Sequence, residues 1–434
     1  MGRSDLRIFD RKDFMNAPGR LLSQLPPKPI VAIVAVAALL CPTAKVWAEA
    51  SSLDEAQFAL LRNDCERLAG DRVEFLEKAG PNLYRLCLPT PGGPPGGGAG
   101  GAGSVGGGAG SVQSQFVAAG KRLAKLRRQQ SKDGGGAGDE AELALTDGLH
   151  LFFSGQFEAI DRRSTRFETG YNGNVQGGAI GADWRANDWL LAGAALNYSN
   201  TDSRFANLGG FRVDAFGPAL YATLTPNDNA FVDIVVEYAR QWRERDRLTS
   251  FPSLGANKRP VSGMVSSDFG ADHYAANALA GYDFWFGGIV IGPRLGFRYS
   301  EMSLDAYRET GTTGLELNFL RDRIRSLQSS VGLMLSTALS TPVGVVAPQI
   351  SFDWTHEFQN KQRDLRASFV QDGRANPTVF TFNNDRPDRD FYHLGAGIGL
   401  TLPNGIQPFV NFDTLLGNRF FDHLVGTVGV RLEL

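Results

Sequence analysis

Long apolar runs are almost absent, and so are cysteine, histidine and any excess of charge. Lys and Arg number 44 against 46 Asp and Glu, which excludes the basic footprint of an ordinary nucleic-acid-binding domain. Beyond the N-terminal region no apolar run reaches the roughly 18 residues of a transmembrane helix, so a helical membrane protein is excluded. A β-barrel, whose apolar signal is diluted by alternation, is not. The five histidines, His150, His273, His356, His393 and His423, form no pair at metal-ligand spacing. There is no G-x-S-x-G elbow. No catalytic residue, cofactor or metal is therefore expected, and the chain reads as a non-enzyme.

Glycine is what the sequence has in excess, 52 of 434 residues. Twelve of these lie between Gly92 and Gly110, a flexible Gly/Ala linker over 91–111. Its formal G-x-G-x-x-G, Gly98 to Gly103, follows no strand and lacks an acidic partner, so the nucleotide-binding reading fails. Ahead of it, Lys28 and the apolar run from Pro29 to Leu40 precede Val46-Trp47-Ala48. That pattern predicts a signal peptide over 1–48, cut after Ala48, with Ala50 as an alternative site and Met15 as an alternative start.

Of the three cysteines, Cys41 leaves with the signal. Cys65 and Cys87 remain in a small exported segment, 49–90, where a disulfide is favoured and two free thiols are the alternative. A bridge closing this loop stabilises by roughly 3 kcal/mol in the chain-entropy model.

After the linker, 112–133 predicts a basic amphipathic helix. Phe116, Val117, Leu123 and Leu126 are interleaved with Lys121, Arg122, Lys125, Arg127 and Arg128. Taken alone it fits a membrane-surface helix, a polyanion binder or a solvated helix.

From 147 to 434 the period becomes two. Leu424, Gly426, Val428, Val430, Leu432 and Leu434 form one face of the last strand, and His423, Thr427, Gly429, Arg431 and Glu433 the other. Val232, Ile234, Val236 and Tyr238 alternate with Asp233, Val235 and Glu237. Hairpin turns fall at Asn187-Asp188, Asn227-Asp228-Asn229, Gly287-Gly288, Pro342-Val343-Gly344 and Asn404-Gly405. Between them, longer polar connections are expected near 159–172, 201–210, 246–267, 303–323, 358–388 and 414–421. Strict alternation of short turns and long loops predicts twelve antiparallel strands in a transmembrane barrel. Both barrel termini then lie at the turn end.

Trp184, Trp189, Tyr221, Phe284, Phe286 and Phe420 suit interfacial girdles. Pro218, Pro293, Pro348 and Pro408 imply bulges or rim positions. Asp183, Asp233, Glu237 and Asp353 are expected to line a wet lumen, together with Glu158, Asp413, Arg294, Arg298 and Arg431.

Gly181-Ala-Asp-Trp-Arg185, Leu190 through Asn200, Pro348-Gln-Ile-Ser-Phe-Asp-Trp-Thr-His-Glu-Phe358 and Asp390 through Leu400 resemble the translocator barrel of the type V secretion autotransporters. The resemblance spans about two thirds of the chain. It implies a twelve-stranded barrel in the outer membrane of a Gram-negative cell, a helix in the pore and an exported N-terminal segment at the cell surface. It also implies Sec export and a barrel-assembly machinery that reads the C-terminal strand, here Val428, Val430, Leu432 and Leu434. Family members usually end in an aromatic residue, and this chain ends in Leu434.

Residues 112–147 hold no asparagine, so the self-cleavage of some members is not carried over. The expected function is anchoring and display of the short segment by a monomeric barrel in contact with lipid, toward an unknown surface ligand and not nucleic acid. A porin-like channel and an adhesin or receptor barrel are the competing readings.

Overall fold

The computed structural model describes residues 149–251, 261–403 and 405–433. Twelve long strands run in chain order: β1 (Leu149–Arg162), β2 (Tyr171–Asn187), β3 (Leu190–Phe205), β4 (Gly209–Leu224), β5 (Ala230–Phe251) and β6 (Val261–Tyr282), then β7 (Ile289–Leu304), β8 (Asp322–Thr337), β9 (Gly344–Glu357), β10 (Asp390–Thr401), β11 (Ile406–Leu416) and β12 (Phe421–Glu433). Each pairs antiparallel with the next, and β12 returns to β1 from Arg162↔Phe421 to His150↔Glu433. The sheet is a closed barrel, so no unpaired edge remains among these strands.

Alternation sets the two faces. On β12, Leu424, Val428, Val430 and Leu432 point out while Val425, Thr427 and Arg431 are buried inside. On β5, Ile234 and Val236 point out while Asp233, Val235 and Glu237 are buried. Around the ring Phe153, Ile180, Leu220, Phe297, Val331, Ile350 and Phe412 continue an exposed apolar belt. Water does not tolerate so large a contiguous patch, and lipid does.

Aromatic rims bound the belt. Trp184, Phe284 and Phe286 lie outward at the turn end, and Trp189 and Trp285 are exposed beside the turns. Tyr198, Tyr238, Tyr274, Tyr299, Trp354 and Tyr392 form the opposite rim. Their polar tips reach carboxylates: Tyr198 Oη donates to Asp214 at 2.7 Å, Tyr238 to Asp272 at 2.9 Å, Tyr299 to Glu301 at 2.8 Å and Trp354 Nε1 to Asp390 at 3.2 Å. An apolar ring with a wet tip suits a membrane interface. Tyr221, expected in a girdle, instead points into the lumen and is 5% exposed. It lies one residue from the outward Leu220, and one residue changes the face.

The turns fall at the expected places, with Gly287 and Gly288 at φ +55° and +92°, values that few side chains adopt. The loops differ from expectation. Strands β3 and β4 are separated only by 206–208, β5 and β6 by 252–260, and β11 and β12 by 417–420. These stretches look like loops in sequence because hairpins that continue beyond the membrane carry polar residues on their outer face.

No register shift occurs at the four prolines, and a shift appears instead between Arg185 and Asn187. Pro293, Pro348 and Pro408 each lie just past the last ladder pair with one neighbour. Pro218 sits where the β4–β5 ladder skips two pairs. Each missing N–H therefore falls where no partner is required.

Candidate functional site

The lumen is the concave feature that these strands create. One wall carries an apolar patch of Phe152, Leu191, Ala195, Tyr221, Val235 and Ala275. The facing wall is polar, with Arg294, Arg298, Gln349, Asp353, His393, Asn411 and Asp413 around one pocket. Several of the lumen's buried groups meet partners. Tyr221 Oη donates to Asp183 at 3.2 Å, Thr223 to Asp233 at 2.9 Å and Gln349 Nε2 to Asn411 at 2.8 Å. His423 lies 2.9 Å from Glu158, His393 lies 3.3 Å from Asp413, and Arg431 lies 3.9 Å from Asp183. The lumen-facing acids and arginines named from the sequence all belong to this inner surface.

At the loop end the inner face changes character. The β7–β8 connection, 305–321, and the β9–β10 connection, 358–389, fold together. Tyr307–Arg308, Leu317–Phe319, Asp364–Phe369 and Val379–Asn383 form a four-stranded antiparallel sheet. Its apolar side, with Leu315, Leu317, Phe319, Leu365, Phe369, Phe380 and Phe382, packs on Ala271, Met302 and Leu304 of β6 and β7. This is a folded cap rather than a pair of free loops.

Ion pairs bind the cap to the barrel. Arg247 grips Glu309 with two bonds of 2.7 Å, Arg245 adds one at 3.1 Å, and the Leu317 N–H donates to the same carboxylate at 3.0 Å. Phe269, Tyr307 and Phe319 stack at 4.0 and 4.6 Å. The Arg245 guanidinium lies 5.3 Å from the Tyr307 ring and 5.2 Å from Phe319. Burial pushes the Tyr307 hydroxyl up to about 12, against the opposing pull of Arg245.

On the other side of the mouth, Arg162 of β1 bonds both Glu168 and Asp385, and the Thr165 hydroxyl donates to Asp385 at 2.7 Å. Burial raises the Glu168 carboxyl; Arg162 opposes the rise and Asp385 adds to it. Arg363–Asp322 and Arg419–Asp388 complete the attachment. Sequence reasoning missed the cap. Arg243, Arg245 and Arg247 do alternate in the sequence, but Glu309 lies 62 residues beyond Arg247.

Val428, Val430 and Leu432 lie on the outer face of β12. Leu434, Ala48, Cys65, Cys87 and the basic series Lys121, Arg122, Lys125, Arg127 and Arg128 lie outside the described residues. Among the described residues no group of His, Cys, Asp and Glu is arranged to hold a metal ion.

A family model, the autotransporter beta-domain, matches residues 151–413. Outer membrane protein A of Rickettsia conorii is 24% identical over 275 residues, covering 61% of this chain and 13% of that protein. The autotransporter adhesin/invasin TibA of Escherichia coli O78:H11 is 26% identical over 251 residues, covering 56% of this chain and 22% of TibA. The chain thus spans between about an eighth and just over a fifth of the length of these relatives. Among solved structures, the translocator domain of the autotransporter NalP from Neisseria meningitidis superposes with a TM-score of 0.52 at 16% identity, covering 75% of this chain and 98% of that domain. The girdled apolar exterior, the charged lumen and the matched span agree: the chain belongs to the autotransporter beta-domain family and is a β-barrel of the bacterial outer membrane.

Proposed function

We propose that the barrel anchors the chain with its loop end outward and presents the segment 49–90 at the cell surface, with 112–133 threaded through the lumen. The observation that carries this reading is the two-sided lumen. An apolar patch faces a wall bearing Asp353 and Asp413, with Asp183, Asp233 and Glu237 buried nearby. A helix with Leu123 and Leu126 among Lys121, Arg122, Lys125, Arg127 and Arg128 complements such a lining, and its charges are costly anywhere near lipid. At 1.5 Å per residue it is roughly 30 Å long, enough for an apolar band about 25 Å tall. Arg294, Arg298 and Arg431 temper the match.

Export through Sec, a disulfide between Cys65 and Cys87, cleavage after Ala48 and recognition of Val428, Val430, Leu432 and Leu434 by the assembly machinery complete the proposal. The barrel is read as a device for display rather than catalysis.

Planar-bilayer conductance tests it. The intact chain should conduct poorly, deletion of 112–132 should raise conductance, and adding Glu309→Gln should raise it further. Identical conductance in all three forms contradicts the threaded segment. Orientation is tested separately: tags at 253 and 372 should label on intact cells and one at 404 should not. Labelling at 404 before lysis reverses the barrel.

A further inference from the structure

The rim above the apolar belt carries carboxylates on its outward face, with arginines paired among them: Arg163 with Asp422, Arg212 with Glu244 and Arg240 with Asp272. Asp161 on β1, Asp202 on β3, Asp214 on β4, Asp272 on β6, Asp390 on β10 and Asp422 at the start of β12 all occupy it. Strand β8 differs in carrying arginines at consecutive outward positions. Arg323 and Arg325, with Arg321 just before the strand, recur at every second position, which sets them on one face. Their side chains are 72%, 54% and 50% exposed for Arg321, Arg323 and Arg325.

Their carboxylate partners do not balance them. Glu301 alone takes Arg323 through Nε at 3.2 Å and Arg325 through Nε at 2.9 Å. Asp305 is 3.8 Å from Arg321 and is also bonded by Arg240 at 2.9 Å. Next along the same face comes Leu327, followed by Val331, both exposed in the lipid belt, with Trp354 and Phe358 outward on and just after the adjoining β9.

We propose that Arg321, Arg323 and Arg325 dock the phosphate of an anionic lipid headgroup in the outer leaflet, with its acyl chains along Leu327 and Val331. The site rests on the outward orientation of the loop end. Planar guanidinium forks match phosphate oxygens bidentately, better than ammonium groups do. The apolar face directly below fixes the source as a lipid rather than a free anion. Arg163 and Arg212, elsewhere on the rim, each face a carboxylate of their own, Asp422 and Glu244, whereas in the β8 sector the cations outnumber their paired carboxylates.

The test uses the full chain in neutral detergent, titrated with lipid A, which carries two phosphates, and with phosphatidylcholine, and read by native mass spectrometry. Lipid A should bind and phosphatidylcholine should not. The triple variant Arg321→Gln, Arg323→Gln, Arg325→Gln should bind lipid A about tenfold more weakly, as loss of surface cations facing anionic lipid predicts. Its retained heat-modifiable band on gels reports an intact barrel, and replacement by Lys at the three positions supplies a milder variant if assembly fails. Arg212→Gln, an exposed arginine on β4 paired with Glu244, should change nothing.

Equal lipid A binding by the triple variant overturns the site. So does displacement of lipid A by an equal concentration of inorganic phosphate, which makes it a free-anion site. Because binding is read on purified protein, its failure leaves orientation standing, which the tag at 372 tests alone.

Discussion

The two halves of the same twelve strands are built on opposite principles inside. Toward the turn end the interior is a lined tube, where small residues, hydroxyls and carboxylates such as Thr223 and Asp233 surround a lumen. Toward the loop end the interior is a core, where Phe269, Tyr307 and Phe319 stack and Glu309 is sealed between arginines. The outside changes as well, from an apolar belt to polar hairpins in water. Alternation places side chains on faces throughout, but what each face must satisfy is set by its surroundings.

Removing the central ion of the cap should have the largest effect. Glu309→Gln leaves Arg245 and Arg247 buried without their counter-charge, a loss of about 3–5 kcal/mol for such pairs. It should act on the cap and not the tube. Trypsin should then cut at the exposed Arg366 in folded, heat-modifiable protein, whereas the parent resists. Unchanged resistance means that the cap is held by apolar packing alone.

The outer face of the tube comes next. Val428→Arg should reduce the assembled fraction, since a cation on the lipid face costs about 2–4 kcal/mol at the midplane. Thr427→Arg, on the lumen face one residue away, should be better tolerated. Equal damage removes the distinction between the faces.

A smaller effect separates the two ends by pH. The raised Glu168 carboxyl, in the β1–β2 connection that holds the cap, favours its protonated form in the folded protein, beside Asp385 and a single Arg162. Its contribution is full below the ordinary carboxylate range and is lost as pH rises through the raised value, at about 1.4 kcal/mol for each pH step across that window. Glu316 and Asp372 act oppositely. Burial pushes both up, but hydrogen bonds from Thr313 and Gln371, and from Arg374 and the Thr378 N–H, hold them below the usual range. Their contribution is lost only in strong acid. Protection factors at 317–319, taken relative to the intrinsic base-catalysed rate at each pH, should therefore fall between mildly acid and mildly alkaline pH; constant or rising protection over that window contradicts the anchor. The smallest change is expected at the rim, where Tyr299→Phe removes one bond to Glu301, about 1 kcal/mol at most. It should shift thermal unfolding slightly and leave cap exchange unchanged.

Faces were legible from the sequence because lipid imposes a strict demand. Val428 and Val430 outside, Asp233 and Glu237 inside, and the acids and arginines of the lumen all follow from period two. Tyr221 shows the cost of a single-residue error, because its neighbour Leu220 does belong outside. The cap was not legible. Its strands, Leu317–Phe319 and Val379–Asn383, are three and five residues long and too short to show a period. Its anchors also join residues distant in sequence, such as Arg162 and Asp385. The outward polar residues of β5 and β6 imitate a loop for the same reason that the lumen is polar: both meet water.

The central claim, that this barrel displays 49–90 on the cell, is tested most directly by protease treatment of intact cells with antibody detection of residues 51–90. The segment should be lost without lysis while the heat-modifiable barrel persists. Protection of 51–90 until the outer membrane is breached contradicts display and leaves the barrel as an anchor for a periplasmic segment.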